Sequence, residues 1–361
     1  MAAPRPPPTI SPVAASGPVE AEDAGAELAR LRRELAALQA RHEGLLSSSS
    51  WRLTAPLRDL ARWLAPLRAR GLRWLRRAPV IGPWLIRSAL VRRHARIHGV
   101  APRLDPPITF NEHILHRILF DRDPRLKLLN DKLAVREFIR ARVGEKYVVP
   151  LLGVWSDPAL VEWDRLPVPF VLKPSHASGS VAIVRTEADL DPVRLTALAR
   201  GWLAEDYFDT SMEWGYRNLS RRLLAEPLLR GPDGAAPLEA QVFTFRGQAA
   251  ILRVFVGVKF SEDRREACFD AQGVLLPMTF REQPSDVRPA PEMLQLLCTL
   301  AETVGAGFSQ LRVDFLLTAE GPMIGELTPY HFSGTMRWRH PEWDGVLGRM
   351  WAEQAPQPGR P

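Results

Sequence analysis

Cysteine is nearly absent: Cys268 and Cys298 are the only two in 361 residues, and neither has a partner at metal-site spacing. A disulfide framework and a cysteine-based metal site are thereby excluded, and the usage fits a reducing cytoplasm. The opening MAAPRPPPTISPVAASGPVE has no continuous apolar core between a basic start and a cleavage site, so it does not read as a secretory leader. Long hydrophobic runs are lacking too. The stretch Ala78 to Val91 carries Arg87 and is too short to span a bilayer. There is no internal repeat, and neither the Walker pattern nor GxGxxG occurs. Acids are scarce in one region: between Trp51 and Val100, Asp59 stands alone against twelve arginines.

That scarcity divides the chain. The whole carries +7, so a segment near +11 leaves a slightly acidic remainder near −4. Prolines, 33 in all, crowd the start, and residues 1–25 read as a disordered Pro/Ala-rich segment. Residues 26–46 read as a short coiled-coil-like helix: Leu28, Leu31, Leu35, Leu38 and Leu45 recur at heptad steps, with His42 as the weak member. The alternative is a single amphipathic helix that packs elsewhere. Residues 47–104 form an Arg/Trp-rich amphipathic segment in which Trp51, Leu53, Leu57, Leu60, Trp63, Leu64 and Leu67 fall at helical intervals. Such a segment fits an anionic membrane surface, and it equally fits a helical collar on the main domain. No nucleic-acid motif accompanies it. Its start, SSSSWRLTAPLR, resembles the joint between coiled coils and catalytic domains in bacterial surface-glycan glycosyltransferases.

Residues 105–352 have the texture of an α+β body, followed by a disordered tail, 353–361. Asp123 to Gly144 reads as one helix, Asp191 to Phe208 as another and Pro291 to Phe308 as a third. Tyr147–Val154, Pro169–Lys173 and Arg222–Leu229 read as strands. Glu239–Phe260 reads as a hairpin turning at Arg246-Gly247, and Leu311–Leu317 with Gly321–Pro329 supply further strands.

Two clusters carry chemistry. In FVLKPSHASGS, Lys173 ends an apolar strand and a small-residue loop follows. An ammonium beside clustered backbone N–H groups suits a phosphate, although a strand end turning at the surface has the same look. In LRVDF, Arg312 and Asp314 share a strand face, as do Glu326 and Thr328 in GELTP. Pairing of those strands brings Asp314 to Glu326, a donor set for a hard cation such as Mg2+.

Asp131-Lys132, Lys173 with its loop, Glu226, Arg312-Val313-Asp314 and Glu326 occur in the order of the ATP-grasp enzymes. NDKLAVREFIRARVG, VVPLLGVWSDP, LPVPFVLKPSHASGS, LLAEPLL, FTFRGQ, LRVDFLL, IGELTPYHFSG and HPEWD narrow the likeness, from about Phe110 to Asp344. They resemble the TupA-like ATP-grasp family of bacterial surface-polymer (teichuronopeptide-type) biosynthesis. The resemblance implies an ATP-grasp fold, two α+β lobes gripping ATP. Lys132 and Lys173 would meet the nucleotide phosphates, under a flap from Ser175 to Ser180 that includes His176, Ser178 and Gly179. Glu226 would open the hinge, and the adenine would use the Pro227 carbonyl and the Leu229 N–H. Asp314, Glu326 and Thr328 would hold Mg2+, and Arg312 would stabilise the transferring phosphoryl group.

Five positions depart from the family's habit. Ser175, Ala177 and Ser180 replace an asparagine and two glycines of the loop, Gln241 stands where a lysine is usual, and Thr328 stands in for an asparagine ligand. The resemblance implies an ATP-dependent ligase that activates a carboxylate as an acyl phosphate and joins it to an amine in cell-surface polysaccharide assembly. It would work in the cytoplasm, with residues 26–100 near the inner membrane face or a glycosyltransferase. A phosphotransferase acting on a sugar or lipid-linked hydroxyl, and an ATP-binding scaffold without turnover, are the alternatives.

Overall fold

The computed structural model describes residues 30, 32–39, 71, 73–257 and 261–353, and it divides into two units, residues 1–74 and 75–361. The Pro/Ala-rich opening, the serine run, the Trp51–Leu67 stripe and residues 354–361 lie outside the described residues. In the first unit residues 32–39 are helical and exposed, Leu35 and Leu38 included, with an i,i+4 pair between Arg30 and Glu34.

The second unit begins with α1 (Ile81–His98), which packs against α2 (Phe110–Phe120) and buries Leu90 and His94. This end of the basic segment thus belongs to the body. Thr109 starts α2 with a capping box to Glu112, satisfying two orphan N–H groups. Phe110 then sits edge-on to Phe243 and Phe245 in the core.

The helix expected from Asp123 to Gly144 is two helices, α3 (Arg125–Asn130) and α4 (Ala134–Val143). The Asp131 carboxylate accepts from the N–H groups of Leu133 and Ala134 at 2.9 and 3.4 Å, an Asx turn that competes with the helical ladder. The strand expected over Tyr147–Val154 shrinks to β1 (Gly153–Trp155), because Glu145–Tyr147 is a 3-10 turn and Pro150 has no N–H for a ladder.

The smaller sheet is antiparallel in the order β1-β4-β2-β3, with β2 (Phe170–Pro174), β3 (Ala182–Val184) and β4 (Leu223–Pro227). Helix α5 (Pro192–Ala204) lies on it. Asp191 caps this helix, and Leu195 and Ala199, one turn apart, are fully buried with Phe170, Leu172, Leu223 and Ala225. A short helix, α6 (Phe208–Ser211), follows.

The larger sheet runs β10-β9-β5-β6-β7-β8, with β5 (Leu238–Phe245), β6 (Gln248–Val256), β7 (Arg265–Asp270), β8 (Gln283–Pro284), β9 (Gln310–Thr318) and β10 (Gly321–Thr328). All its pairs are antiparallel except β7–β8. The hairpin turns at Arg246 and Gly247 as the sequence reading has it, both residues at positive φ. Helix α7 (Pro291–Gly305) crosses β5, β6 and β9, burying Leu294, Leu297, Ala301 and Val304. Helix α8 (Glu342–Glu353) closes the unit against α2.

On β9 the alternation decides the site. Leu311, Val313, Phe315 and Leu317 enter the core, so Arg312 and Asp314 emerge on the opposite face. On β10 a bulge at Gly325 keeps pace: Ile324 pairs with Phe315, but Glu326 pairs with Asp314 and Thr328 with Arg312. Were Gly325 paired with Asp314 in a regular ladder, Glu326 would pair with Val313, on the core face.

Candidate functional site

The break between α3 and α4 puts Lys132 beside the loop after β2. Its N–H donates to the Ser175 carbonyl at 2.9 Å, and its Nζ donates to the Ala177 carbonyl. Lys173, at the end of β2, reaches Glu226 on β4, with Nζ to Oε2 at 2.6 Å. Arg136 takes the other oxygen, Nη1 to Oε1 at 2.8 Å. Glu226 is thus held by two cations, and the sequence reading missed Arg136. Its signal was position, one helical turn beyond Lys132. Burial lowers the Lys132 ammonium to about 8; Glu326 opposes the shift and Lys173 adds to it. Pro227 ends β4, and Leu229 lies half-buried beyond it.

Within the loop, Ser175 is fully buried. It accepts from the Arg222 N–H at 3.2 Å and donates to the Ser220 carbonyl at 3.0 Å. His176 is buried against the Glu205 carbonyl, with Nε2 at 3.1 Å. Ser178 and Gly179 form the exposed tip. Of the six loop residues Gly179 takes the left-handed conformation, φ 80°, so Ala177 and Ser180 adopt this shape without the strain that a positive φ would cost them.

The facing wall is the row across β10, β9, β5 and β6. Arg312 clasps Asp314 in a two-point pair, Nε to Oδ1 at 2.6 Å and Nη2 to Oδ2 at 2.7 Å. It also donates to Thr328 Oγ1 at 3.0 Å and meets His331 Nδ1. Burial works against the Arg312 charge, but Asp314 outweighs it, and the guanidinium is raised above its ordinary value. His331 is pushed well below its usual range by burial and by Arg312 and Arg253, so it is the neutral acceptor in that contact. Gln241 donates to Asp314 Oδ2 at 3.2 Å, and behind it stands Arg253. His331, Arg253 and Glu266 had no legible signal, because their role depends on register across the sheet.

A third group flanks both walls. Glu213 is buried, accepts from the Ser333 hydroxyl at 2.7 Å, and has its carboxyl raised by burial to about 7. Arg93 of α1 donates to the Ser333 carbonyl at 3.3 Å. Phe332 and Ser333 hold positive φ there, 46° and 52°.

Lysines and a small-residue loop on one α+β lobe, with paired carboxylates on the sheet of the other, are the arrangement of the ATP-grasp fold. The chain belongs to the TupA-like ATP-grasp family, which it matches over residues 112–352. Among solved structures it is similar to the ATP-grasp ligase PsnB complexed with minimal precursor, at 15% identity and TM-score 0.37, covering 64% of this chain and 62% of that one. It is also similar to D-alanine–D-alanine ligase from Bacillus anthracis complexed with ATP, at 14% identity and TM-score 0.37, covering 63% of each chain. The chain therefore spans less than two thirds of the length of either structure. No curated protein sequence matches it.

Among the described residues no group of three or more His, Cys, Asp or Glu side chains converges as a metal site. The Asp314–Glu326 pair still fits Mg2+, which commonly takes one or two carboxylates and completes its shell with phosphate oxygens and water.

Proposed function

We propose that this protein is an ATP- and Mg2+-dependent ligase that joins a carboxylate to an amine. The observation that carries the reading is the Gly325 bulge, which sets Glu326 opposite Asp314 on the face where Lys132 feels the Glu326 charge. Lys132 and Lys173 would neutralise the triphosphate, and the N–H groups of Ser175–Ser180, around His176, Ser178 and Gly179, would cover it. Glu226 would begin the hinge, with the adenine on the Pro227 carbonyl and the Leu229 N–H. Asp314, Glu326 and Thr328 would hold Mg2+, which neutralises charge at the γ-phosphate.

The carboxylate oxygen attacks the γ-phosphorus and ADP leaves, giving an acyl phosphate. The amine lone pair then attacks the acyl carbon, phosphate departs and the amine loses a proton. Arg312, whose guanidinium clasps Asp314 at two points and also meets Thr328 and His331, would stabilise the phosphoryl group by its charge and by an N–H turned toward it. The setting we propose is bacterial surface-polymer assembly at the cytoplasmic face of the inner membrane, with carboxylate and amine drawn from glycan or amino-acid precursors.

The test is incubation with ATP, Mg2+ and a panel of amino-acid and uronic-acid carboxylates in hydroxylamine. ADP release with a hydroxamate product is expected, and Asp314→Asn should lower it by two orders of magnitude or more. A stable phosphorylated product would instead establish phosphotransfer to a hydroxyl. ATP–Mg2+ binding without turnover on any acceptor would leave a scaffold.

A further inference from the structure

Gln241 sits on β5 between two register partners, Asp314 on β9 and Arg253 on β6. The chemistry at its two ends is opposite. A guanidinium can only donate and an ionised carboxylate can only accept, so the amide has one satisfactory orientation. Its Oε1 takes Arg253 Nη1 at 3.0 Å, and its Nε2 donates to Asp314 Oδ2 at 3.2 Å. Arg253 has no freedom to change this. Its Nε bonds Glu266 Oε2 at 2.8 Å, its Nη2 meets the same oxygen, and the guanidinium lies 3.9 Å from the Phe280 ring centroid and 4.7 Å from that of Phe255. Glu266, fully buried, is anchored in turn by the N–H groups of Arg281 and Glu282 at 2.8 and 3.0 Å. A buried ion pair of this kind is weak evidence for stability, since apolar side chains of similar volume often serve the fold as well.

We infer that Arg253 is a positioning residue for the Asp314 carboxylate, acting through the Gln241 amide. Both Arg312 and Gln241 hold Asp314. The reading of the site as a nucleotide–metal centre, on which this inference rests, also gives Arg312 the phosphoryl group. The Gln241 bond is a hold that does not depend on Arg312, and it keeps the Asp314 carboxylate oriented beside Glu326.

The test uses the full chain, with Mn2+ as the probe and ATP present, reading bound metal by electron paramagnetic resonance and ATP affinity in EDTA by calorimetry. Outer-shell partners of metal ligands typically contribute about 10–100-fold in metal affinity. Gln241→Leu and Arg253→Met are each expected to weaken Mn2+ binding about tenfold or more. ATP affinity in EDTA should stay unchanged, and the double variant should be no worse than either single one, because both cut one path. Arg253→Lys, which keeps a donor for Gln241, should recover part of the loss. If Arg253→Met leaves Glu266 unpaired and fails to fold, Gln241→Leu and Arg253→Lys decide the matter. Folded variants with unaltered Mn2+ affinity, or a loss in Gln241→Leu that neither Arg253 variant shares, would overturn the inference and leave the ligase reading standing. Absence of metal-dependent ATP binding in the unsubstituted protein would overturn both.

Discussion

Lys132 is a cation in a place that disfavours cations. With its ammonium lowered to about 8 by burial, the charged fraction falls as pH rises through that value, by about tenfold per unit above it. ATP affinity should therefore weaken between pH 7 and 9, and Lys132→Met should bind weakly throughout with that slope removed; titration calorimetry across the range checks it. Glu213 is the mirror case. Its carboxyl titrates near 7 instead of 4.5, so the folded chain holds an extra proton between those values and loses stability as pH rises through the window. Glu213→Gln escapes that loss. It should be more stable than the unsubstituted protein at pH 8, by up to about 3 kcal/mol, and equal to it near pH 4, as read by thermal unfolding.

At the scale of elements, two irregularities build the site. The Asp131 turn breaks a helix and delivers Lys132 to the loop; Asp131→Ala should cost about 1 kcal/mol and lower ATP affinity along with the melting temperature. The Gly325 bulge delivers Glu326. Deleting Gly325 would remove the bulge while leaving Glu326 next to Ile324 and so still opposite Asp314, and the expected outcome is that Mn2+ binding, read by electron paramagnetic resonance, is retained. Gly325→Ala should be tolerated, because a Cβ there meets nothing closer than Leu316 at 3.8 Å. The bulge has a trace in the sequence. Ile324 and Leu327 are three apart, on opposite faces of a regular strand, yet both are buried. By contrast, no local pattern marks Arg253 or His331, since their partners lie on other strands.

For the whole molecule, the compact unit begins near Leu75, and Leu90 of α1 is fully buried in its core. A chain lacking residues 1–70 should keep the melting temperature of the unit, whereas one lacking residues 1–99 should not fold. Sedimentation with vesicles containing anionic lipid should show binding by the full chain and loss of it on removing residues 47–70, if the arginine-rich segment meets a membrane as proposed. Among the described residues no helix is long and apolar enough to cross one.

The sequence by itself determined the α+β class, most strands and helices of the body, and the order of lysines and carboxylates that marks the family. Those features are local or ordered along the chain, so period and spacing carry them. The tertiary structure alone decided that Arg136 shares Glu226 with Lys173, that Arg312 is folded onto Asp314, and that Arg253 backs Gln241. The first joins elements distant in sequence, the second depends on the rotamer Arg312 takes on its own strand, and the third on the pairing of β5 with β6. Whether such charges meet depends on register and burial, which one bulged glycine on β10 is enough to change.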